Sequence, residues 1–117
     1  MNKETIEAIL KFRDDRAWKR FHNPKDLSLS ICLEAAELLE VFQWSADDVN
    51  CMHKMAKIEE ELADILIYCV HMADTCGLDL DKIILNKLKS NNEKYPVEKA
   101  IGSKEKYDAL KKINYIE

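Results

Sequence analysis

Residues that interrupt helices are almost missing from this chain. Its 117 residues include only two glycines and two prolines, and both residue types strongly disfavour helix interiors. Leu, Ala, Glu and Lys, which favour helices, are abundant. The composition therefore predicts an all-α fold. Because the composition does not change along the chain, we expect residues 1–117 to form a single domain, with a core over about residues 3–96 and a C-terminal tail over 97–117.

Apolar periodicity and capping residues divide the chain into four predicted helices. Asn23 and Pro24 have the types of an N-cap and a first helical residue, so they should start the second helix. Gly77 should end the third helix, and the Ser and Asp residues of the connector SADDVN should cap its beginning. In the tail, Ser103 could cap a further short helix. The predicted bounds are about residues 3–18, 24–44, 49–76 and 80–92.

Four carboxylates fall on the apolar sides of the second and third helices. In SICLEAAELLEVFQW, Glu34 shares a helix stripe with apolar residues, and Glu37 lies one turn further on. In KIEEELADILIY, Glu61 and Asp64 are placed in the same way. If the two helices form an antiparallel hairpin, a rise of 1.5 Å per residue puts the two pairs within roughly 4 to 6 Å of the same height. The sequence therefore predicts four carboxylates facing one another.

Such a cluster needs protons or a cation, because like charges repel and desolvation adds to the cost. Oxygen ligands select a hard cation, so the pattern predicts a site for Mg²⁺ or Mn²⁺. No histidine follows a glutamate by three residues, which disfavours a di-iron carboxylate centre. The alternative is that the acids form ordinary salt bridges, for example between Glu61 and Lys57 one turn before it.

These segments resemble the MazG-like, all-α nucleoside triphosphate pyrophosphohydrolases, and in particular their dCTP pyrophosphatase-like branch. EAAELLEVFQW followed by EEELADILIY matches the E-x-x-E…E-x-x-D signature, and the likeness extends through RAWKRFHNPKDL and NKLKSNNEKYP, over residues from about 12 to 96. The resemblance implies a four-helix bundle that forms oligomers. It also implies hydrolysis between the α- and β-phosphates of a nucleoside triphosphate, yielding the monophosphate and pyrophosphate.

The resemblance also implies which residues act. Glu34, Glu37, Glu61 and Asp64 would hold Mg²⁺, and we expect Glu34 to activate the attacking water because its stripe is the most apolar. A further histidine approaches the base in dCTP-selective relatives, and Ile9 occupies that position here, which leaves cytosine selectivity open. The implied substrate-binding residues are Trp18, His22 and Trp44 around the base, Lys87, Asn91, Lys94 and Tyr95 along the nucleotide, and Tyr68 one turn after Asp64.

Partners and location follow from charge and apolar runs. The net charge is −4 and the basic residues are scattered, so nothing indicates nucleic-acid binding. No apolar run is long enough for a membrane span, and the N-terminal segment has no signal-peptide core, so we expect a cytoplasmic protein. A chain this short leaves helix faces uncovered, which favours a homodimer or homotetramer.

The predicted function is Mg²⁺-dependent hydrolysis of a pyrimidine deoxynucleoside triphosphate such as dCTP, which would sanitise the nucleotide pool. An alternative from a different class is a non-catalytic helical dimer that binds nucleotide or a partner protein. A third possibility, within the same superfamily, is a pyrophosphatase acting on a phosphoribosyl nucleotide or a modified base. The sequence does not separate these substrates, because pocket shape rather than the acids decides the base.

Overall fold

The computed structural model describes residues 1–102, where all regular structure is helical. This confirms the predicted all-α fold. The chain forms two compact units, Met1–Leu80 and Asp81 onward. None of the helices among the described residues is long and apolar enough to cross a membrane. The helices are α1 (Lys3–Asp15), α2 (Pro24–Glu40), α3 (Met55–Thr75), α4 (Leu80–Lys94) and α5 (Val97–Ala100), with 3₁₀ turns at Lys19–Phe21 and Met52–Lys54.

α2 and α3 pack against each other as an antiparallel hairpin. Near the connection between them, Nζ of Lys54 donates a hydrogen bond of 3.2 Å to the carbonyl of Val41. One to two turns further along both helices, Glu34 on α2 lies beside Glu61 on α3. The hairpin therefore brings the two acidic pairs to the same height, as the sequence predicts.

The core of the first unit is small and contains three polar residues. α1 adds a third layer by packing on α3. Burial of apolar side chains supplies the main stabilising free energy of such a bundle, so the polar residues in the core need specific partners. The buried apolar residues are Leu27, Val41, Cys51, Val70 and Ala73, and the buried polar ones are Arg13, Glu61 and His71.

Two predicted helix boundaries are confirmed. Oδ1 of Asn23 accepts a hydrogen bond of 2.9 Å from the backbone N–H of Asp26, and Pro24 is the first residue of α2. Gly77 has a φ of 67° just beyond α3, where a left-handed residue lets the chain leave the helix. Both signals are local, so the sequence alone locates them.

The connection between α2 and α3 is longer than predicted. α2 ends at Glu40 rather than Trp44, because the next N–H groups bond to carbonyls three residues back; that of Phe42, for example, donates to Leu39 at 3.0 Å. α3 begins at Met55 rather than residue 49, and no side chain caps it. Oδ1 of Asp48 instead accepts a bond of 3.0 Å from the N–H of Cys51 within the loop. The predicted cap was therefore wrong.

The predicted ends of the last elements also differ from the structure. α4 continues to Lys94, two residues beyond the predicted end, and stops directly before the residue that precedes Pro96. The four-residue helix α5 was not predicted. Ser103 lies outside the described residues.

α1 ends at Asp15 rather than Trp18, because Ala17 adopts a left-handed conformation with a φ of 55°. The N–H of Trp18 donates to the carbonyl of Arg13 at 3.1 Å, and the N–H of Ala17 donates to that of Asp14 at 3.0 Å. This closing pattern usually has glycine at the left-handed position. With alanine at this position, nothing in the sequence indicates that the helix stops.

Ala17→Gly is expected to stabilise the protein by about 0.5 to 1 kcal/mol, because glycine adopts the left-handed conformation without a Cβ clash. Urea unfolding of both proteins measures the difference. Ala36→Gly, in the exposed interior of α2, is the matched control and should destabilise by about 1 kcal/mol. Equal destabilisation by both substitutions would contradict a left-handed Ala17.

Candidate active site

Three of the four predicted carboxylates meet between α2 and α3. Glu34, Glu61 and Asp64 each offer an oxygen that lies within 4.8 Å of the other two. Glu61 is only 2% exposed, and the other two are half-buried. Oε2 of Glu34 and Oε2 of Glu61 are buried and have no hydrogen-bond partner among the described residues. Buried, unpaired carboxylate oxygens are costly, and an all-oxygen set of this kind fits a hard divalent cation.

Glu37, the fourth predicted carboxylate, lies at the edge of this cluster and is exposed. The adjacent carboxyl group of Glu34, and then that of Glu61, raises the pKa of Glu37 to about 7. The neighbouring negative charges act in the same direction. Without a cation, the cluster therefore lowers its repulsion by keeping a proton on Glu37 around neutral pH.

Lys57 supplies a positive charge at the other side of the cluster. Its Nζ lies 2.8 Å from Oε1 of Glu61, and this hydrogen bond lowers the pKa of Glu61. The salt bridge that the sequence offered as an alternative is therefore present. It occupies only one oxygen of Glu61, and Oε2 remains unpaired among the described residues. The ion pair and a cation site are thus compatible.

An apolar cavity of about 440 Å³ lies beside the acids, between α1, the 3₁₀ turn before α2, and α3. Three predicted substrate-binding residues, Trp18, His22 and Tyr68, line it. Asp64 lines it as well, so this carboxylate belongs to both the cluster and the cavity. The remaining lining residues are Thr5, Ala8, Ile9, Phe12, Ile67 and His71.

α1 contributes more of the cavity wall than Ile9, the one position of this helix that the resemblance placed near the base, and the sequence contained a signal for this. Thr5, Ala8, Ile9 and Phe12 follow the spacing i, i+3, i+4 and i+7, which places them on one face of a helix. Phe12 packs edge-on against Trp18, with ring centroids 5.9 Å apart. α1 therefore forms a continuous wall of the cavity.

A buried arginine lies next to the two cavity histidines. Arg13 is 2% exposed, and its guanidinium donates to Oδ2 of Asp74 at 2.7 Å and to Oδ1 of Asp14 at 2.9 Å. Burial, and then the charge of Arg13, lowers the pKa of His22. Burial, His22 and Arg13 lower the pKa of His71 to about 4. Both imidazoles are therefore neutral at physiological pH.

Trp44 is 87% exposed and lines neither this cavity nor the neighbouring one of about 290 Å³. The four residues predicted to contact the nucleotide from the C-terminal side belong to the second unit. Within it, the N–H of Tyr95 donates to the carbonyl of Asn91 at 2.8 Å, and α4 gives Lys87, Asn91 and Lys94 the predicted helical spacing. Their roles, and that of Trp44, stay predictions.

Comparison with known proteins identifies the family. The model of the MazG-like family matches residues 29–110. The chain belongs to the MazG-like family. Two proteins named dCTP pyrophosphatase 1, from Bos taurus and Homo sapiens, are 39% and 37% identical to this MazG-like chain over 115 residues. Each alignment covers 91% of this chain and 68% of the relative.

A solved structure supports the same assignment. The crystal structure of a pyrophosphatase from Archaeoglobus fulgidus is 37% identical, with a TM-score of 0.74 over 80% of this chain and 91% of the other. This confirms the MazG-like fold and the resemblance that the sequence shows. The MazG-like chain is a nucleoside triphosphate pyrophosphohydrolase, and the alternative of a non-catalytic binding protein is disfavoured.

Proposed function

We propose that this MazG-like enzyme hydrolyses a pyrimidine deoxynucleoside triphosphate, such as dCTP, to the monophosphate and pyrophosphate, and so removes unwanted nucleotides from the cytoplasmic pool. The observation that carries the proposal is the double position of Asp64, which lies in the acidic cluster and lines the aromatic cavity. A base stacked in the cavity would place its triphosphate at the acids. The names of the dCTP pyrophosphatase relatives support the choice of base.

Glu34, Glu61 and Asp64, with Glu37 at the edge, would hold Mg²⁺. The oxygen-only donor set and the unpaired Oε2 atoms of Glu34 and Glu61 support this assignment. When bound, such a cation supplies charge neutralisation for the triphosphate and lowers the pKa of coordinated water. Mn²⁺ would fit the same oxygen ligands.

Glu34 is the proposed general base. The carboxylate oxygen of Glu34 that does not bind the cation can accept the proton of a water that attacks the α-phosphorus. A phosphorus–oxygen bond then forms to the water oxygen, and the bond from the α-phosphorus to the α,β-bridging oxygen breaks. Pyrophosphate carries the bonding electrons away, and the nucleoside monophosphate remains.

Pyrophosphate release from a panel of NTPs and dNTPs, with products resolved by chromatography, tests the proposal. We expect monophosphate and pyrophosphate from a pyrimidine dNTP, no turnover after chelation, and recovery with Mg²⁺. Mg²⁺ should also raise the melting temperature of the chelated protein, because it binds only the folded cluster. If only a phosphoribosyl nucleotide or a nucleotide with a modified base were hydrolysed, that compound would be the substrate instead of a pyrimidine dNTP. Full activity in a chelator would overturn the cation site.

We further propose that the active form is a homodimer or homotetramer. Apolar side chains on both helices of the hairpin are exposed in the single chain, including Leu33 and Leu39 on α2 and Leu62 and Leu66 on α3. Uncovered apolar surface of this kind favours association. Light scattering on the purified protein measures the mass, and a monomer at micromolar concentration would contradict the assignment.

A further inference from the structure

His71 is a polar residue in an otherwise largely apolar cavity. It is 5% exposed and lies on α3 within the cavity lining. Its Nδ1, like that of the neighbouring His22, is buried and has no hydrogen-bond partner among the described residues. Since buried polar atoms in native proteins are nearly always paired, an unpaired one in a cavity wall indicates a ligand group that completes it.

The neighbours of His71 fix its ring. The ring of His22 lies 4.7 Å away and that of Tyr68 lies 6.1 Å away, centroid to centroid. The nearby guanidinium of Arg13 disfavours a second positive charge. A neutral imidazole has one N–H donor and one acceptor nitrogen, so Nδ1 can serve as either one, depending on the tautomer.

The position of His71 along α3 matches the geometry of a nucleotide. It lies seven residues after Asp64, which is about 10 Å at 1.5 Å per residue. This is close to the span from the α-phosphate of a nucleotide to the edge of the base that is farthest from the sugar. In a pyrimidine, that edge carries the substituent at C4, an amino group in cytosine and a carbonyl in uracil and thymine.

We propose that His71 is a specificity-determining residue, whose Nδ1 hydrogen-bonds the C4 substituent of a pyrimidine bound in the aromatic cavity. The inference rests on the proposed function, because it assumes that the base enters this cavity. An amino group would donate to Nδ1, and a carbonyl would accept from it. In either case a buried contact of this kind rejects an analogue without the polar substituent, because Nδ1 would then stay unpaired.

The test compares the preferred pyrimidine dNTP with its 2-pyrimidinone analogue, which has no C4 substituent. The native enzyme should prefer the complete base about ten- to a hundredfold in kcat/KM. His71→Phe keeps an aromatic side chain but removes both nitrogens. The ratio of kcat/KM between the complete base and the analogue should then fall to about one, mainly through a change in KM. His71→Asn places an amide near the position of Nδ1 and should restore part of it. Comparison of dCTP with dUTP and dTTP identifies which substituent is read.

Val70→Ala controls for loss of stability. Val70 is the buried neighbour of His71 on α3 but does not line the cavity. Val70→Ala should lower the melting temperature while leaving unchanged the preference for the complete base over the 2-pyrimidinone analogue. Calorimetry with the deoxynucleoside monophosphate should show the same loss of affinity in His71→Phe.

The outcomes separate the two proposals. If the native enzyme turns over no pyrimidine nucleotide, the proposed function fails. If it does so and folded His71→Phe keeps the native preference, His71 is only a packed side chain and this inference is overturned.

Discussion

Glu34→Gln is expected to lower kcat for pyrophosphate release by about two to four orders of magnitude while the protein stays folded. Glutamine keeps the shape of the side chain but cannot take a proton from water, and general-base catalysis contributes an effect of this size. It is also a poorer ligand for a hard cation. Steady-state kinetics with the preferred nucleotide at saturating Mg²⁺ measure the change.

Glu59→Gln is the matched control, because Glu59 is an exposed acid on α3 outside the cluster. It should keep near-native kcat. Glu34→Gln should also be at least as stable as the native protein without metal, since it removes one of several crowded negative charges. An active but strongly destabilised Glu34→Gln would contradict the assigned role, because Glu34 would then be a structural residue.

The same variant should change how stability depends on pH. The pKa of Glu37 is raised from 4.5 to about 7 in the folded protein, chiefly by Glu34. Between these values the folded state binds more protons than the unfolded state, so the free energy of unfolding of the metal-free protein falls as pH rises through this window. Glu34→Gln should reduce that fall. Urea unfolding at a series of pH values in a chelator measures it.

Arg13→Met is expected to destabilise the protein by about 2 to 3 kcal/mol, because it removes a buried guanidinium that binds two carboxylates. The remaining carboxylates of Asp14 and Asp74 are partly exposed, which keeps the loss below that of a fully buried pair. Urea unfolding at neutral pH gives the difference. In the variant, the pKa of His71 should also rise, because the charge of Arg13 is one of the causes that lower it.

Lys11→Met, on the same helix, controls for the loss of an ordinary salt bridge. Lys11 lies 2.6 Å from Asp15, but both side chains are more than half exposed. Its loss should cost less than about 1 kcal/mol, as exposed pairs usually do. Equal losses of unfolding free energy in the two variants would contradict a stabilising role for the buried ion pair between Arg13 on α1 and Asp74 on α3.

The sequence predicted the parts of the fold and site that depend on periodicity and local caps. Helical spacing alone placed Glu34 opposite Glu61, and the chemistry of Asn23 and Gly77 located two helix boundaries. The left-handed Ala17 could not be predicted, because alanine rarely adopts that conformation. The early end of α2 could not be predicted either. Next to it, Nζ of Lys54 donates a hydrogen bond across the connection to the carbonyl of Val41.

The cavity was predicted only in part, for a related physical reason. Trp18, His22 and Tyr68 were expected there from the resemblance, whereas His71 was not among the predicted residues. A single sequence does not show whether a buried imidazole has a hydrogen-bond partner, because the partner can come from any element. The absence of one for Nδ1 among the described residues became visible only with α1, α2 and α3 in place.

The order of the site residues along α3 bears on how substrate specificity can change in this family. Glu61, Asp64, Tyr68 and His71 follow one another at intervals of three, four and three residues along one rigid helix. The acids thus lie at a fixed distance from the remaining cavity residues, which follow Asp64 on later turns of the helix. If the base binds in the cavity as proposed, a substitution at the C-terminal turn would alter which base is accepted without moving the carboxylates, so substrate range could evolve while the hydrolytic chemistry is inherited unchanged.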